Sequence, residues 1–186
     1  ASHGRGLRIG IDATDMLAEH LTGIEYSLTE LVRHLPLVDA RNEYVLFFNF
    51  VRPDYRARFD VRVRPLLSER VRAKNLRIPN VLVRYAAKWG HWPIDRTLGR
   101  CDVVHYPSFL MRPQRHGARV ATIHALMPIT HADQYAPQDA AWFRSHVPDV
   151  LRRADALIAV SRYTKDASVE SFNIPAERIT VVHHGV

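Results

Sequence analysis

Short apolar segments alternate with segments of helical periodicity along this chain, and that alternation restricts the possible folds more than any other feature. "LRIGID" (7–12) and "EYVLFF" (43–48) are apolar runs typical of strands buried on both faces. Between them, apolar residues recur at helical spacing and stop at Pro36: Ile24, Leu28, Leu31, Val32 and Leu35. Parallel strands need long crossover connections, so the sequence predicts an α/β fold: a Rossmann-like parallel β-sheet with helices on both faces.

The same alternation continues through the rest of the chain. Further strands are predicted at 60–66, 102–107, 119–124, 156–161 and 179–184, and further helices at 138–154 and 162–172. Residues 69–100 mix basic and apolar residues and contain Pro79 and Pro93, so we expect a helix, a break and a second helix there.

Length and composition are those of one soluble globular domain, with 186 residues, 47% of them hydrophobic and 24% charged. Residues 1–6, "ASHGRG", have no apolar core and are expected to be a flexible lead-in. No apolar run reaches the roughly 18 residues of a membrane-spanning helix. The single cysteine, Cys101, excludes an internal disulfide and favours a reducing cytosol.

The charge balance favours an anionic partner, because 26 Lys and Arg oppose 19 Asp and Glu for a net charge of +7. Phosphate, nucleic acid, an acidic membrane surface and a merely solvated basic surface all remain open on this ground. The 11 histidines form no HExxH or zinc-type spacing, and His183 and His184 point to opposite faces if they lie on a strand. No metal site is expected, and no GxSxG motif indicates a serine hydrolase.

Ligands of parallel sheets bind beyond the carboxyl ends of the strands. That rule selects residues 14–23, 106–109, 124–127, 161–164 and 184–185. Gly23 has no Cβ, so an anion can approach the amides at the helix start; alternatively Thr22 is a plain N-cap beside a turn glycine.

Two of these segments each hold one prominent polar residue. His124 closes its strand and either contacts a sugar hydroxyl or phosphate, or is satisfied by backbone groups. Ser161 either caps the following helix or helps to bind an anion there, together with Arg162 or Lys165.

Four stretches, in this order, resemble the N-terminal domain of a family 4, GT-B-fold glycosyltransferase of the retaining type. They are "RIGIDATDMLAEHLTGIEYSLTELVRHL", "CDVVHYPSFLMRP", "VATIHALMPI" and "VLRRADALIAVSRYTKDASVESFNIPAERITVVHHGV". The last is the most specific, since R-A-D, V-S, T-K and "IPAERITVV" followed by G-V occur there in the family's order. The resemblance covers nearly the whole chain and is weakest between residues 50 and 95.

The resemblance implies that residues 1–186 form one half of a GT-B fold. A stretch like "VVHHGV" leads, in that family, into a hinge and a second domain that holds most of the nucleotide and the donor sugar. The implied reaction moves a sugar from a nucleotide-diphosphate sugar to a hydroxyl acceptor, in polysaccharide, lipopolysaccharide or glycolipid synthesis. No metal or other cofactor is expected, and this half alone is expected not to turn over substrate.

Site residues carry over position by position. His124 falls on the histidine of a T-[IV]-H-D element and is the implied catalytic residue, although Ala125 replaces the usual Asp. Gly23 falls on the loop that approaches the donor phosphates, with Thr22 and Ser161 as further donor contacts. The acceptor contacts expected from the resemblance are Glu25, Tyr106, Ser108 and Arg162.

The N-terminal domain of such enzymes shapes the acceptor site. Basic residues near Tyr85, Trp89 and Trp92 either lie on an anionic membrane surface, close to a glycan or lipid-linked acceptor, or belong to an ordinary surface helix. The expected location is the cytoplasm, with peripheral contact to the inner face of the membrane. The alternative function is a non-catalytic, Rossmann-like module for anions or nucleic acid; without an RNP-type or KH signature, no nucleic acid is expected.

Overall fold

The computed structural model describes residues 5–79, 82 and 93–185. Its strands are β1 (Arg8–Asp12), β2 (Glu43–Phe48), β3 (Val71–Asn75), β4 (Val103–Tyr106), β5 (Ala118–Ile123), β6 (Ala156–Ala159) and β7 (Ile179–Val181). The helices in the described ranges are α1 (Gly23–Val38), α2 (Pro53–Arg62), α3 (Asp95–Leu98), α4 (Met127–Thr130), α5 (Pro137–Arg153) and α6 (Arg162–Phe172). Short 3-10 turns lie at Thr14–Leu17, Arg64–Leu66, Ala132–Gln134 and Ala176–Arg178.

The chain divides into two compact units. Unit 1 comprises residues 1–105 and 112–117, and unit 2 comprises residues 106–111 and 118–186. Strands follow the order β3-β2-β1-β4 in unit 1 and β5-β6-β7 in unit 2. The strand pairs with a defined register within these units are all parallel. The prediction of an α/β, Rossmann-like fold with a parallel sheet is confirmed.

Close packing on β1 shapes the core of unit 1. A Cβ on Gly10 would lie 2.7 Å from Leu98 Cδ1 and 3.3 Å from Cys101 Sγ, so a larger residue here would require the Leu98 side chain to shift. Cys101 itself is buried, and this burial raises the pKa of its thiol. A buried thiol with a raised pKa is a poor nucleophile, which favours a packing role for Cys101.

Helix α1 runs two residues beyond its predicted end. Pro36 lies inside it, and the helix continues to Val38. Proline lacks an N–H and therefore removes one hydrogen bond, a smaller loss in the last turn than in the middle of a helix. The Asp39 N–H closes the helix by donating to Leu35 O.

The predicted strand at 60–66 is wrong, since residues 60–62 end α2 and residues 64–66 form a 3-10 turn. Tyr55, Phe59 and Val63 recur at a spacing of four and pack against the core of unit 1. Ion pairs at the same spacing, such as Asp54–Arg58, further support the helix. The alternation of Val and Arg at 61–64 satisfied a period of two only by coincidence.

The predicted helix at the start of 69–100 is also wrong where the chain is described, because β3 occupies Val71–Asn75. Val71 is buried, whereas Arg72 and Lys74 are exposed, as suits an edge strand with charged residues along it. Tyr85, Trp89 and Trp92 lie outside the described residues. No helix in the described ranges has both the length and the apolar character needed to span a membrane.

Tyr44 gives unit 1 a predictable response to alkaline pH. Burial, then the Asp39 carboxylate that accepts its O–H at 2.5 Å, raises the pKa of Tyr44 to about 12. The fold thus favours the neutral phenol, and this stabilisation is present below pH ~10 and lost as the pH rises to about 12.

Between pH ~10 and ~12, the wild type is expected to lose more stability than Tyr44→Phe, which has no ionisable group there. Urea unfolding midpoints across this range test the expectation. Tyr26→Phe is the matched control, because Tyr26 is 61% exposed. The expectation is contradicted if the urea midpoint changes with pH equally in the wild type and in Tyr44→Phe.

Candidate functional site

The carboxyl end of β5 brings two histidines of unit 2 together. His124 directly follows β5, and its Nε2 lies 2.8 Å from the carbonyl oxygen of Pro107. Its ring stacks on that of His184, with centroids 5.5 Å apart and planes inclined by 17°. A carbonyl oxygen only accepts hydrogen bonds, so Nε2 carries a proton and the ring is held in one orientation.

The sequence argument about His183 and His184 was wrong in its premise. β7 ends at Val181, so both histidines lie beyond the strand, and both are exposed. Only His184 turns back onto His124, which the sequence pattern did not indicate. In the described part of the chain, no three His, Cys, Asp or Glu side chains are grouped to hold a metal ion.

The start of α6 holds two more predicted site residues. Ser161 Oγ accepts a hydrogen bond from the Thr164 N–H at 3.0 Å and lies 2.9 Å from Thr164 Oγ1. Ser161 is therefore an N-cap, as one of its two interpretations predicted, and its donor-phosphate role stays a prediction. The Arg162 side chain is exposed and forms no hydrogen bond or ion pair with any described residue, while Lys165 Nζ donates to Ile179 O at 2.8 Å.

The last residue of β4 and the turn after it hold two more of the expected acceptor contacts. Tyr106 is fully buried, so its side chain does not face an acceptor in this structure. Ser108 is half-buried, and its hydroxyl has no hydrogen-bond partner among the residues described. Of these two, Ser108 alone is accessible to a ligand.

In unit 1, the start of α1 holds Thr22, Gly23 and Glu25. Glu25 Oε2 accepts the Thr22 N–H at 2.8 Å and also the Thr22 hydroxyl. A Cβ on Gly23 would meet nothing within 4 Å, so no described residue from another element packs closely against this position. The Glu25 carboxylate already interacts with this positive helix end. A phosphate that binds there would therefore lie near the negative charge of Glu25.

Sequence reasoning missed a buried ion pair at the carboxyl end of β1. Asp12 Oδ2 accepts Arg112 Nε at 2.7 Å, and Asp12 Oδ1 accepts the Thr14 hydroxyl at 2.7 Å. The Arg112 guanidinium carbon lies 4.7 Å from the centroid of the Phe47 ring. An Asp ending an apolar strand was the available signal, but nothing local pointed to Arg112, which is 100 residues away.

Comparison with known proteins supplies the family. Residues 21–186 match the sequence model of Glycosyltransferase Family 4. The chain belongs to this family. This confirms the family that the sequence motifs suggested.

Among solved structures, a glycosyltransferase from Rickettsia africae ESF-5 resembles this family 4 chain with a TM-score of 0.50 and 13% sequence identity. The match covers 98% of this chain and 44% of that one, so this chain spans less than half of that glycosyltransferase. At this identity the likeness shows the fold alone. No curated protein matches the chain.

As a family 4 chain, the protein departs from the expected motif just after His124. Ala125 is exposed and stands where the motif has a carboxylate. Any role of that carboxylate therefore has no counterpart at this position. His124, by contrast, lies at the strand end where the motif predicted it.

Proposed function

We propose that this family 4 chain is the N-terminal, acceptor-side half of a glycosyltransferase that uses a nucleotide-diphosphate sugar and a hydroxyl acceptor. The family match over residues 21–186 carries the proposal. The position of His124 supports it, because ligands of parallel sheets bind beyond the carboxyl ends of the strands.

The proposed transfer breaks the bond between the anomeric carbon and the diphosphate oxygen, which leaves with the electron pair. A bond forms between the anomeric carbon and the acceptor oxygen, whose proton passes to the departing diphosphate or to solvent. Rate enhancement in such a reaction comes from aligning the acceptor and stabilising the charge that develops on the diphosphate. The contact with Pro107 O orients His124 for a sugar hydroxyl or phosphate oxygen, and the backbone amides at Gly23 are proposed for the diphosphate.

The proposed acceptor is a glycan or a lipid-linked glycan. Arg162 and Ser108 are the best supported contacts, since both are accessible and neither side chain has a hydrogen-bond partner in the described ranges. The net charge of +7 supports an anionic partner, either the acceptor or the inner face of a membrane. No metal is proposed in the transfer.

The test is sugar transfer by the complete protein that carries this chain, over a panel of UDP- and GDP-sugars. We expect at least one donor to be turned over in the presence of a glycan acceptor. The 186-residue chain alone is expected to fold and to transfer nothing; transfer by it would contradict the proposed division into two halves. No turnover by the complete protein, together with salt-sensitive binding of nucleic acid, would favour the binding module instead.

A further inference from the structure

Two arginines of α2 bind a run of backbone carbonyls in the segment between β1 and α1. Arg62 Nη1 donates to Ala18 O at 2.6 Å and to Met16 O at 3.2 Å, and its Nη2 donates to Glu19 O at 3.4 Å. Arg58 Nη1 donates to Leu17 O at 2.6 Å. All four consecutive carbonyls from residue 16 to residue 19 therefore accept a hydrogen bond from one of these two side chains.

Both arginines belong to α2, and Arg58 is itself held in place by further contacts. They lie one helical turn apart on α2 and so share a face. Arg58 Nη2 donates to Asp54 Oδ2 at 2.6 Å, and its guanidinium carbon lies 4.6 Å from the centroid of the Tyr55 ring. A guanidinium suits this task because its planar fork offers several donors at fixed angles, whereas an ammonium is a single point of contact.

The bound segment leads directly to the start of α1. Met16 and Leu17 are fully buried, so the segment is anchored in the core on one side and by α2 on the other. Residues 19–23 are exposed, and Thr22 and Gly23 follow the last bound carbonyl by only three and four residues. Fixing residues 16–19 therefore limits where the first amides of α1 can lie.

We infer that Arg58 and Arg62 are positioning residues that hold the start of α1 in place for an anionic ligand, the diphosphate of the donor. This rests on the proposed function, which supplies the donor. Neither arginine contacts the ligand in this role. They act by ordering residues 16–19 before the donor binds. Donor binding then loses less conformational entropy, because the segment is already ordered.

The first arm of the test needs no activity. Hydrogen exchange of the amides of residues 16–23 is measured in the complete protein for wild type, Arg62→Ala and Arg58→Ala. Exchange is expected to be about tenfold faster in Arg62→Ala, the variant that loses three contacts. Arg62→Lys is expected to be intermediate. The control is Arg56→Ala on the same helix, whose side chain is 48% exposed and pairs with Asp60 at 3.0 Å. Unchanged exchange in Arg62→Ala would overturn the inference.

The second arm measures steady-state kinetics of the same variants. Arg62→Ala is expected to raise the KM for the donor about tenfold, with kcat and the KM for the acceptor within about twofold of wild type. Faster exchange with an unchanged donor KM would reject the positioning role and leave only a structural contact. If wild type uses no donor, the proposed function and the ligand role both fail, while the exchange data still decide whether the arginines hold the segment.

Discussion

Replacing His124 with alanine in the complete protein is expected to lower kcat/KM for sugar transfer by about 100-fold. The imidazole sits at the carboxyl end of β5 in one orientation, because its Nε2 contacts Pro107 O. In the proposed role, a side chain held in that way contacts the reacting sugar without having to reorganise, and alanine cannot make that contact. Initial rates at varied donor concentration, with the donor found in the panel, measure the effect.

The controls separate catalysis from folding. His183→Ala removes an exposed histidine beyond β7 and is expected to leave kcat/KM unchanged. His184→Ala removes the stacked ring but keeps the contact between His124 and Pro107. It is therefore expected to lower kcat/KM by less than about tenfold. Wild-type kcat/KM in a folded His124→Ala protein would make His124 structural, and would indicate that Ala125 marks a site built differently from the family's.

Replacing Asp12 with alanine is expected to lower the free energy of unfolding by about 3 kcal/mol. The Asp12 and Arg112 side chains are 9% and 17% exposed, so the arginine would keep its charge in a poorly solvated place without its carboxylate. The Thr14 hydroxyl would lose its acceptor as well. Urea denaturation of the variant and wild type measures the difference.

A double-mutant cycle identifies the origin of this loss. Asp12→Ala with Arg112→Met is expected to be more stable than Asp12→Ala alone, since the guanidinium that has lost the Asp12 carboxylate is then removed as well. Glu30→Ala is the control, because it breaks an exposed pair with Arg33 and is expected to change stability by less than about 1 kcal/mol. An Asp12→Ala protein within about 1 kcal/mol of wild type would contradict this expectation and would show that Arg112 does not depend on the Asp12 carboxylate.

Elements with one clear period were predictable from the sequence. β2 and α6 have the predicted bounds, 43–48 and 162–172, because a strongly apolar run and a capped amphipathic segment each determine their own conformation. The segment from 53 to 75 was not predictable in this way. There, arginines occupy both a helix with its ion pairs and an edge strand, and each element has only two or three apolar residues on its buried side.

By itself, the sequence determined the fold class, the family and the strand end that bears His124, because all three follow from residues close together in the chain. The tertiary structure alone decided which side chains meet. Asp12 pairs with Arg112 across 100 residues, Arg62 holds Ala18 across 44, and His184 stacks on His124. Such contacts form because packing of the sheet and helices brings distant residues together, and a local periodicity holds no information about them.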